Sequence, residues 1–431
     1  MQKSETVILG AGITGLSAGY ASGAPVYEAR KDAGGICSSY YMRRGAKERL
    51  THTPEDHEAY RFEIGGGHWI FGGDSSIQEL IQRLAACNSH GRRSGIFFHE
   101  RKLLVPYPLQ NHVSHLSDME RASVAEEMLK KESDKREVGT MSEWLEESFG
   151  KTLCETFFHP FHDLYTAGLY TKIAPQDSYK TPRNSSQKAN VGYNTSFLYP
   201  ERGLDALVRE LADACDVRYG KRVESIDTKK HEVIFSDSSN SSIRYDNIIS
   251  TLPLHETLRI AQVNVDERPD PHTSVLVINI GAVSGEFCPK EHWVYIPHSR
   301  AGFHRVGFYS NVDASFLPLS SRGDRVGIYV EKAYVGGACP DAEEIEKISC
   351  SVVEELTQWG WIKETEVVDA TWIDVAYTWS YPDSHWREKA IAALEAKNIY
   401  PVGRYARWKF QGIADSIKDG LSAGERWCVR R

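Results

Sequence analysis

Nothing in this chain of 431 residues looks able to cross a membrane. No apolar run approaches the ~20 residues that a helical span needs, and residues 275–283, among the longest apolar stretches, read as a strand. An excess of basic charge is missing too. Lys and Arg number 51 against 59 Asp and Glu, a net charge of −8, which argues against nucleic acid or anionic membrane as the main partner. The eight cysteines are scattered. None forms a CxxC pair or stands with His at metal-ligand spacing, so no metal site is expected and they read as reduced thiols. The first predicted strand begins within ten residues of Met1, which leaves no room for a signal peptide, so a cytoplasmic location is expected. Internal repeats, long low-complexity linkers and any Ser-His-Asp or paired-carboxylate arrangement are lacking as well.

What is present starts at once. Val7-Ile-Leu9 runs straight into Gly10-x-Gly12-x-x-Gly15, and an apolar helical pattern (Leu16, Ala18, Tyr20) follows. Gly10 permits a tight turn out of the strand, Gly12 lets phosphate oxygens approach the backbone, and Gly15 lets the helix pack on the sheet. The free N–H groups of that helix then face a pyrophosphate. Glu28 closes a second predicted strand about 20 residues on, where a carboxylate accepts both ribose hydroxyls and disfavours a 2′-phosphate.

After Glu28-Ala29-Arg30 come Gly34-Gly35 and a second glycine turn, Gly65-Gly66-Gly67-His68. These resemble the FAD proteins of the amine oxidase and protoporphyrinogen oxidase superfamily. The wide, planar flavin needs backbone without side chains along its face, which glycine supplies. The resemblance implies FAD as cofactor, held by Gly10, Gly12, Ile13, Thr14, Gly15, Glu28, Ala29, Arg30, Gly34, Gly35, Gly66, Gly67, His68, Val223, Gly403, Arg404, Ala414, Asp415 and Ser416. Val223 would meet the adenine through its backbone. The helix opening near Gly412 would point its positive end at the flavin.

The fold class expected is α/β. A discontinuous Rossmann-type FAD domain (GR2-like) takes residues 1–90, 201–260 and 383–431. A mainly helical cap subdomain takes 91–200, with a hairpin at 95–106 and helical patterns at 122–132 and 141–169. An antiparallel substrate sheet takes 261–382. Leu204, Leu207, Leu211 and Ala214 share one face of a predicted helix, and a β-meander is predicted over 217–226, 232–235 and 243–252.

Four further stretches are more specific: Val105-Pro-Tyr107-Pro-Leu-Gln110-Asn111, Asn194 to Pro200, Trp293-Val-Tyr295 through Arg305 to Asn311, and Trp379-Ser-Tyr381-Pro382. Together they resemble UDP-galactopyranose mutase, chiefly its eukaryotic branch. The resemblance implies pyranose/furanose ring interconversion of a nucleotide sugar, with N5 of reduced flavin as nucleophile and an external reductant (NADH, NADPH or a reductase). It places His68 beside the flavin and Arg305 on the diphosphate, both as catalytic residues. Tyr107, Gln110, Asn111, Asn194, Tyr295, Tyr381 and Phe410 become substrate contacts. A diphosphate calls for arginine forks and phenol donors, which Arg305, Tyr295 and Tyr381 supply.

The chain also departs from that family. Val312 and Phe410 stand where it has tyrosines, and Ala414-Asp-Ser-Ile417 replaces its Asn-Gln-Asp-His run. Lys180 is the cation nearest to the place of a second substrate arginine. Each lost polar contact costs about 1–3 kcal/mol. Two readings follow: a nucleotide-sugar mutase or related sugar-modifying flavoenzyme, and an FAD oxidase or dehydrogenase of the amine oxidase type.

Overall fold

The structure, a computed structural model, describes residues 6–130, 138–176, 195–237 and 241–427. Lys180 and Asn194 lie outside the described residues.

The run Val7, Ile8, Leu9 forms the strand Thr6–Leu9, buried along its whole length. A strand covered on both faces belongs in the middle of a parallel sheet. It pairs in parallel with Asn247–Ser250 on one side and Val26–Tyr27 on the other. Ile399–Pro401 and Val217–Arg218 extend the sheet outward. One five-stranded sheet is thus drawn from distant parts of the chain, and the domain is discontinuous as expected.

Two helices cover this sheet at the clamp, Ile13–Ser22 and Ile413–Arg426. They touch backbone to backbone, because a Cβ on Gly420 would lie 2.2 Å from the Thr14 carbonyl oxygen and one on Gly424 2.4 Å from that of Ala18. Thr14 facing Gly420 and Ala18 facing Gly424 makes the pair parallel. The start of the last helix therefore projects beyond that of the first by nearly two turns, at about 3.6 residues per turn.

A second, seven-stranded sheet stands beside the first. Its order is Ile362–Thr378, His272–Ser284, Arg325–Val335, Arg305–Phe308, Trp293–Tyr295, Ser94–Phe98, Leu103–Pro106. Side chains alternate along the strand His272–Ser284. Val275 and Val277 join the core shared with the clamp, while Leu276, Ile278 and Ile280 pack with Val352 and Leu356 of the helix Ala342–Gln358.

The helical body contains Asp118–Lys130, Met141–Leu153 and His159–Thr166. A π-helical turn, Cys154–Phe158, joins the last two. Phe157 and Phe158 are buried there.

Two sequence expectations change. The hairpin predicted within the helical body adds to the seven-stranded sheet, through parallel pairing of Ser94–Phe98 with Trp293–Tyr295. Both of its faces are apolar: Ile96 and Phe98 feed the helical core, and Phe97 packs on Trp359 and Trp361. The predicted meander also splits. Val223–Asp227, Glu232–Phe235 and Ser242–Arg244 make a small sheet of their own. Val217–Arg218 and Asn247–Ser250 leave it for the parallel sheet.

Candidate active site

A cavity of about 580 Å³ runs from the glycine clamp to the seven-stranded sheet and the helical body. At the clamp end its wall includes Gly10, Gly12, Ile13, Thr14, Glu28, Arg30, Gly34 and Gly35. Gly10 has φ +94°, a conformation natural to glycine alone. A Cβ on Gly15 would lie 1.9 Å from the Gly10 carbonyl oxygen, so only glycine lets the helix start this close to the turn. A Cβ on Gly12 would meet nothing within 4 Å, leaving open space before the helix N-terminus. Glu28 accepts the Ala11 and Arg30 N–H groups, each at 2.8 Å. A carboxylate has about four acceptor sites, so this held carboxylate keeps capacity for ribose hydroxyls.

The middle of the cavity is lined by Gly67, His68, Arg404, Gly412, Ile413 and Ser416. The projecting start of the last helix thus reaches further along the cavity than the first helix does. Burial, reinforced by Arg404, pushes His68 down to about 4, so the ring is neutral at neutral pH. Its Nδ1 is buried and has no hydrogen-bond partner among the described residues. Arg404 donates to the carbonyls of Ala376 (2.7 Å) and Gln411 (3.2 Å) and lies 4.7 Å over the Phe410 ring.

The far end combines charge with aromatic surface. Arg305 Nη2 donates to both Glu331 oxygens, at 2.5 and 2.6 Å, and to the Tyr377 hydroxyl at 3.4 Å. The strand register puts Arg305 opposite Glu331. Burial opposes charge on Glu331, but Arg305 and His304 outweigh it and hold the carboxyl low, at about 2. Arg92 sits at another corner, 5.1 Å over both the Tyr107 and Trp293 rings, and donates to Ser94 Oγ at 3.0 Å and the Tyr295 hydroxyl at 3.5 Å. Arg92 forms no ion pair among the described residues. Tyr107 packs on Tyr295 with centroids 4.8 Å apart. The helical body adds Met141, Trp144, Phe157, Phe158, Phe161 and Tyr165.

Several predicted contacts are placed otherwise. Tyr381 is off the wall: its hydroxyl accepts from Arg268 at 2.7 Å, and Tyr377, four residues earlier, lines the cavity instead. Gln110 and Asn111 form a 3-10 turn with Leu109, whose side chain anchors in the helical core, and the turn carries both away from the wall. Val223 opens the small separate sheet. The Glu28 segment is met by Gly220 and Lys221, whose N–H groups donate to Arg30 and Glu28 carbonyls. Gly15, Gly66 and Gly403 serve close packing rather than the wall; a Cβ on Gly66 would lie 3.0 Å from Glu331 Oε1, and one on Gly403 2.6 Å from Thr14 Oγ1. Ala29 is also off the wall. Ala414 is buried, and Asp415 is exposed and caps its own helix by accepting the Gly412 N–H. Val312 is buried in the core. Sequence reasoning missed Arg92, His304, Tyr329, Glu331 and Tyr377. His304 lay inside the stretch that carried Arg305, and Arg92 and Tyr377 lay beside stretches already singled out; Tyr329 and Glu331 had no signal.

The clamp, its bare phosphate cradle, the orphaned His68 nitrogen and two helix N-termini at different depths fit a long dinucleotide that ends in a flat ring. Residues 17–276, more than half of the chain, match the family described as flavin containing amine oxidoreductase. The chain belongs to that family. FAD is its cofactor, and the protein is a flavin-dependent enzyme. Among solved structures, reduced UDP-galactopyranose mutase superposes with a TM-score of 0.82 at 19% identity, over 98% of this chain and 95% of that one. A putative protoporphyrinogen oxidase from Exiguobacterium sp. 255-15 gives 0.70 at 15% identity, over 99% of each chain. A redesigned putrescine oxidase gives 0.60 at 13% identity, over 98% of each. At these identities the likeness is one of fold, and the fold serves mutase and oxidases alike.

Proposed function

We propose that this flavoenzyme is a nucleotide-sugar mutase or a closely related sugar-modifying enzyme. The observation that carries the reading is the Arg92 corner. A guanidinium without a carboxylate partner among the described residues, stacked on Tyr107 and Trp293 and touching the Tyr295 hydroxyl, suits a diphosphate attached to flat rings. Arg404 adds a second cation, bonded to carbonyl oxygens, further along the cavity. Arg305, the arginine expected to hold the diphosphate, bonds Glu331 through Nη2 alone, and its buried Nε has no hydrogen-bond partner among the described residues. Its charge is balanced by Glu331 while the cavity is empty, and Arg92, with no carboxylate to displace among the described residues, is a second anion anchor beside it.

Bound FAD supplies N5 as the atom at which hydride or a bond to substrate is exchanged. The residues around it orient and enclose the substrate. Tyr107, Tyr295 and Tyr377 offer ring faces and phenols, and neutral His68 adds an imidazole that does not contribute charge.

The decisive experiment compares nucleotide-sugar binding and ring interconversion in wild type and Arg92→Ala, with the flavin reduced beforehand. The expected result is a loss of affinity of about 1.5–3 kcal/mol, the range for a charged hydrogen-bonding group, with FAD retained. Nucleotide-sugar affinity unchanged in Arg92→Ala ends this reading.

A second reading is favoured by the opposite wall. Met141, Trp144, Phe157, Phe158 and Phe161 form a charge-free surface suited to a hydrocarbon or amine substrate of an FAD oxidase or dehydrogenase. That reading expects substrate to bleach the oxidised flavin with no added reductant. The mutase reading expects turnover only after reduction.

A further inference from the structure

His304 has no role in the reading above, yet it lines the same cavity and is almost fully buried. Its Nδ1 lacks a hydrogen-bond partner among the described residues. Its Nε2 lies 3.5 Å from Glu331 Oε2, on the carboxylate that also holds Arg305. The charged and titratable groups facing it are Glu331 on the neighbouring strand, Arg305 next in sequence and Tyr165 of the helical body, whose ring centroid is 5.3 Å away. Burial keeps the His304 imidazole below its ordinary range, against the pull of Glu331. Free of ligand, the cluster balances one guanidinium against one carboxylate, with a neutral imidazole beside them.

An anion arriving at Arg305 upsets that balance. The buried site would then hold two negative charges against one positive, which a low-dielectric interior strongly disfavours. The group placed to restore neutrality is the imidazole already at ion-pair distance from Glu331.

We propose that His304 is a positioning residue for the substrate anion, and that each anion engaging Arg305 enters with one proton taken up from solvent at His304. The proposal rests on the reading that the substrate carries a diphosphate. The proton adds to Nε2 or Nδ1, the ring becomes imidazolium, and Glu331 exchanges its pairing with Arg305 for one with His304. By linkage, proton uptake makes anion affinity fall tenfold per unit rise in pH over the range where His304 is neutral in the free protein and protonated in the complex.

The test is titration calorimetry of the FAD-loaded protein with UDP-glucose, which has no group titrating near neutral pH. Running it in buffers of different ionisation enthalpy counts the protons. Wild type is expected to take up close to one proton per ligand. Glu331→Gln is expected to bind without proton uptake and to lose the pH slope. His304→Asn is expected to lose both the uptake and the slope, with its FAD spectrum intact. Binding by wild type with no proton taken up overturns the proposal, even if a His304 variant fails to fold. If UDP-glucose does not bind, the diphosphate reading fails by itself, and sulfate replaces it as the probe for His304. Sulfate bound without a proton, or not bound at all, overturns the proposal in that case.

Discussion

At the residue scale, glycine and tyrosine shape the cavity in different ways. Gly10, Gly12 and Gly15 act through backbone over six residues, so spacing alone reveals them. A tyrosine reaches the cavity only if strand register points it there. Tyr377 and Tyr381 lie four residues apart, yet the first is in the strand Ile362–Thr378 and lines the cavity, while the second lies past its end. Tyr381 turns instead to Arg268, whose guanidinium lies 4.2 Å over its ring. Likewise, nothing near Arg305 in the sequence announces Glu331, because cross-strand pairing 26 residues away creates the contact. Tyr377→Phe removes the hydroxyl that faces Arg305 and is expected to cost about 1 kcal/mol in substrate binding, roughly fivefold in KM. Tyr381→Phe is expected to leave KM within about twofold, since it loses only an exposed contact. Steady-state kinetics on both variants checks the pair, and equal effects would contradict the placement.

At the element scale the decisive contact is the one between the first and last helices. Their sequences suggested an apolar helix after the clamp and a helix opening near Gly412 but not their mutual approach, since the partners lie some 400 residues apart in the chain. Gly420 and Gly424 are spaced to put one bare face against Thr14 and Ala18. Glycine inside a helix normally costs about 0.5–1 kcal/mol relative to alanine, so propensity alone would make Gly→Ala stabilising. Here the opposite sign is expected. The added Cβ meets carbonyl oxygens of rigid backbone, and overpacking of this kind costs about 1–3 kcal/mol. Gly420→Ala and Gly424→Ala are therefore expected to lower Tm and to release FAD more readily, because both helix starts face the cofactor cavity. Gly323→Ala, where an added Cβ meets nothing within 4 Å, is the control and is expected to be nearly neutral. Thermal unfolding followed by flavin fluorescence reads both effects at once.

At the scale of the whole molecule, a two-stranded antiparallel pair, Ser39–Met42 with Tyr60–Glu63, is tied to the seven-stranded sheet around a buried carboxyl, Glu63. It ends the strand Tyr60–Glu63 and accepts from Ser39 Oγ at 3.0 Å and from the Tyr199 hydroxyl. Its backbone carbonyl accepts from Asn279 of the long strand His272–Ser284 at 3.1 Å. Burial pushes this carboxyl up from 4.5 to about 7, although the Tyr199 hydroxyl and Arg61 favour its charge. The folded value lies above the unfolded one, so the fold favours the protonated acid. The resulting stability is complete below the unfolded value and is lost as pH rises through about 7. The shift corresponds to on the order of 3 kcal/mol at most. Buried His68 and His162 act the other way. Burial lowers each from 6.5 to about 4, so their stability is lost as pH falls through that window. The two trends oppose each other between about 4.5 and 6.5, and above that only the Glu63 loss continues. Glu63→Gln keeps an oxygen for Tyr199 and removes the titration. Urea unfolding at pH 5 and pH 8 is therefore expected to show wild type losing stability toward pH 8 relative to Glu63→Gln. A constant difference between the two proteins across that range would mean that Glu63 stays ionised in the fold, and that Arg61 rather than burial governs its charge.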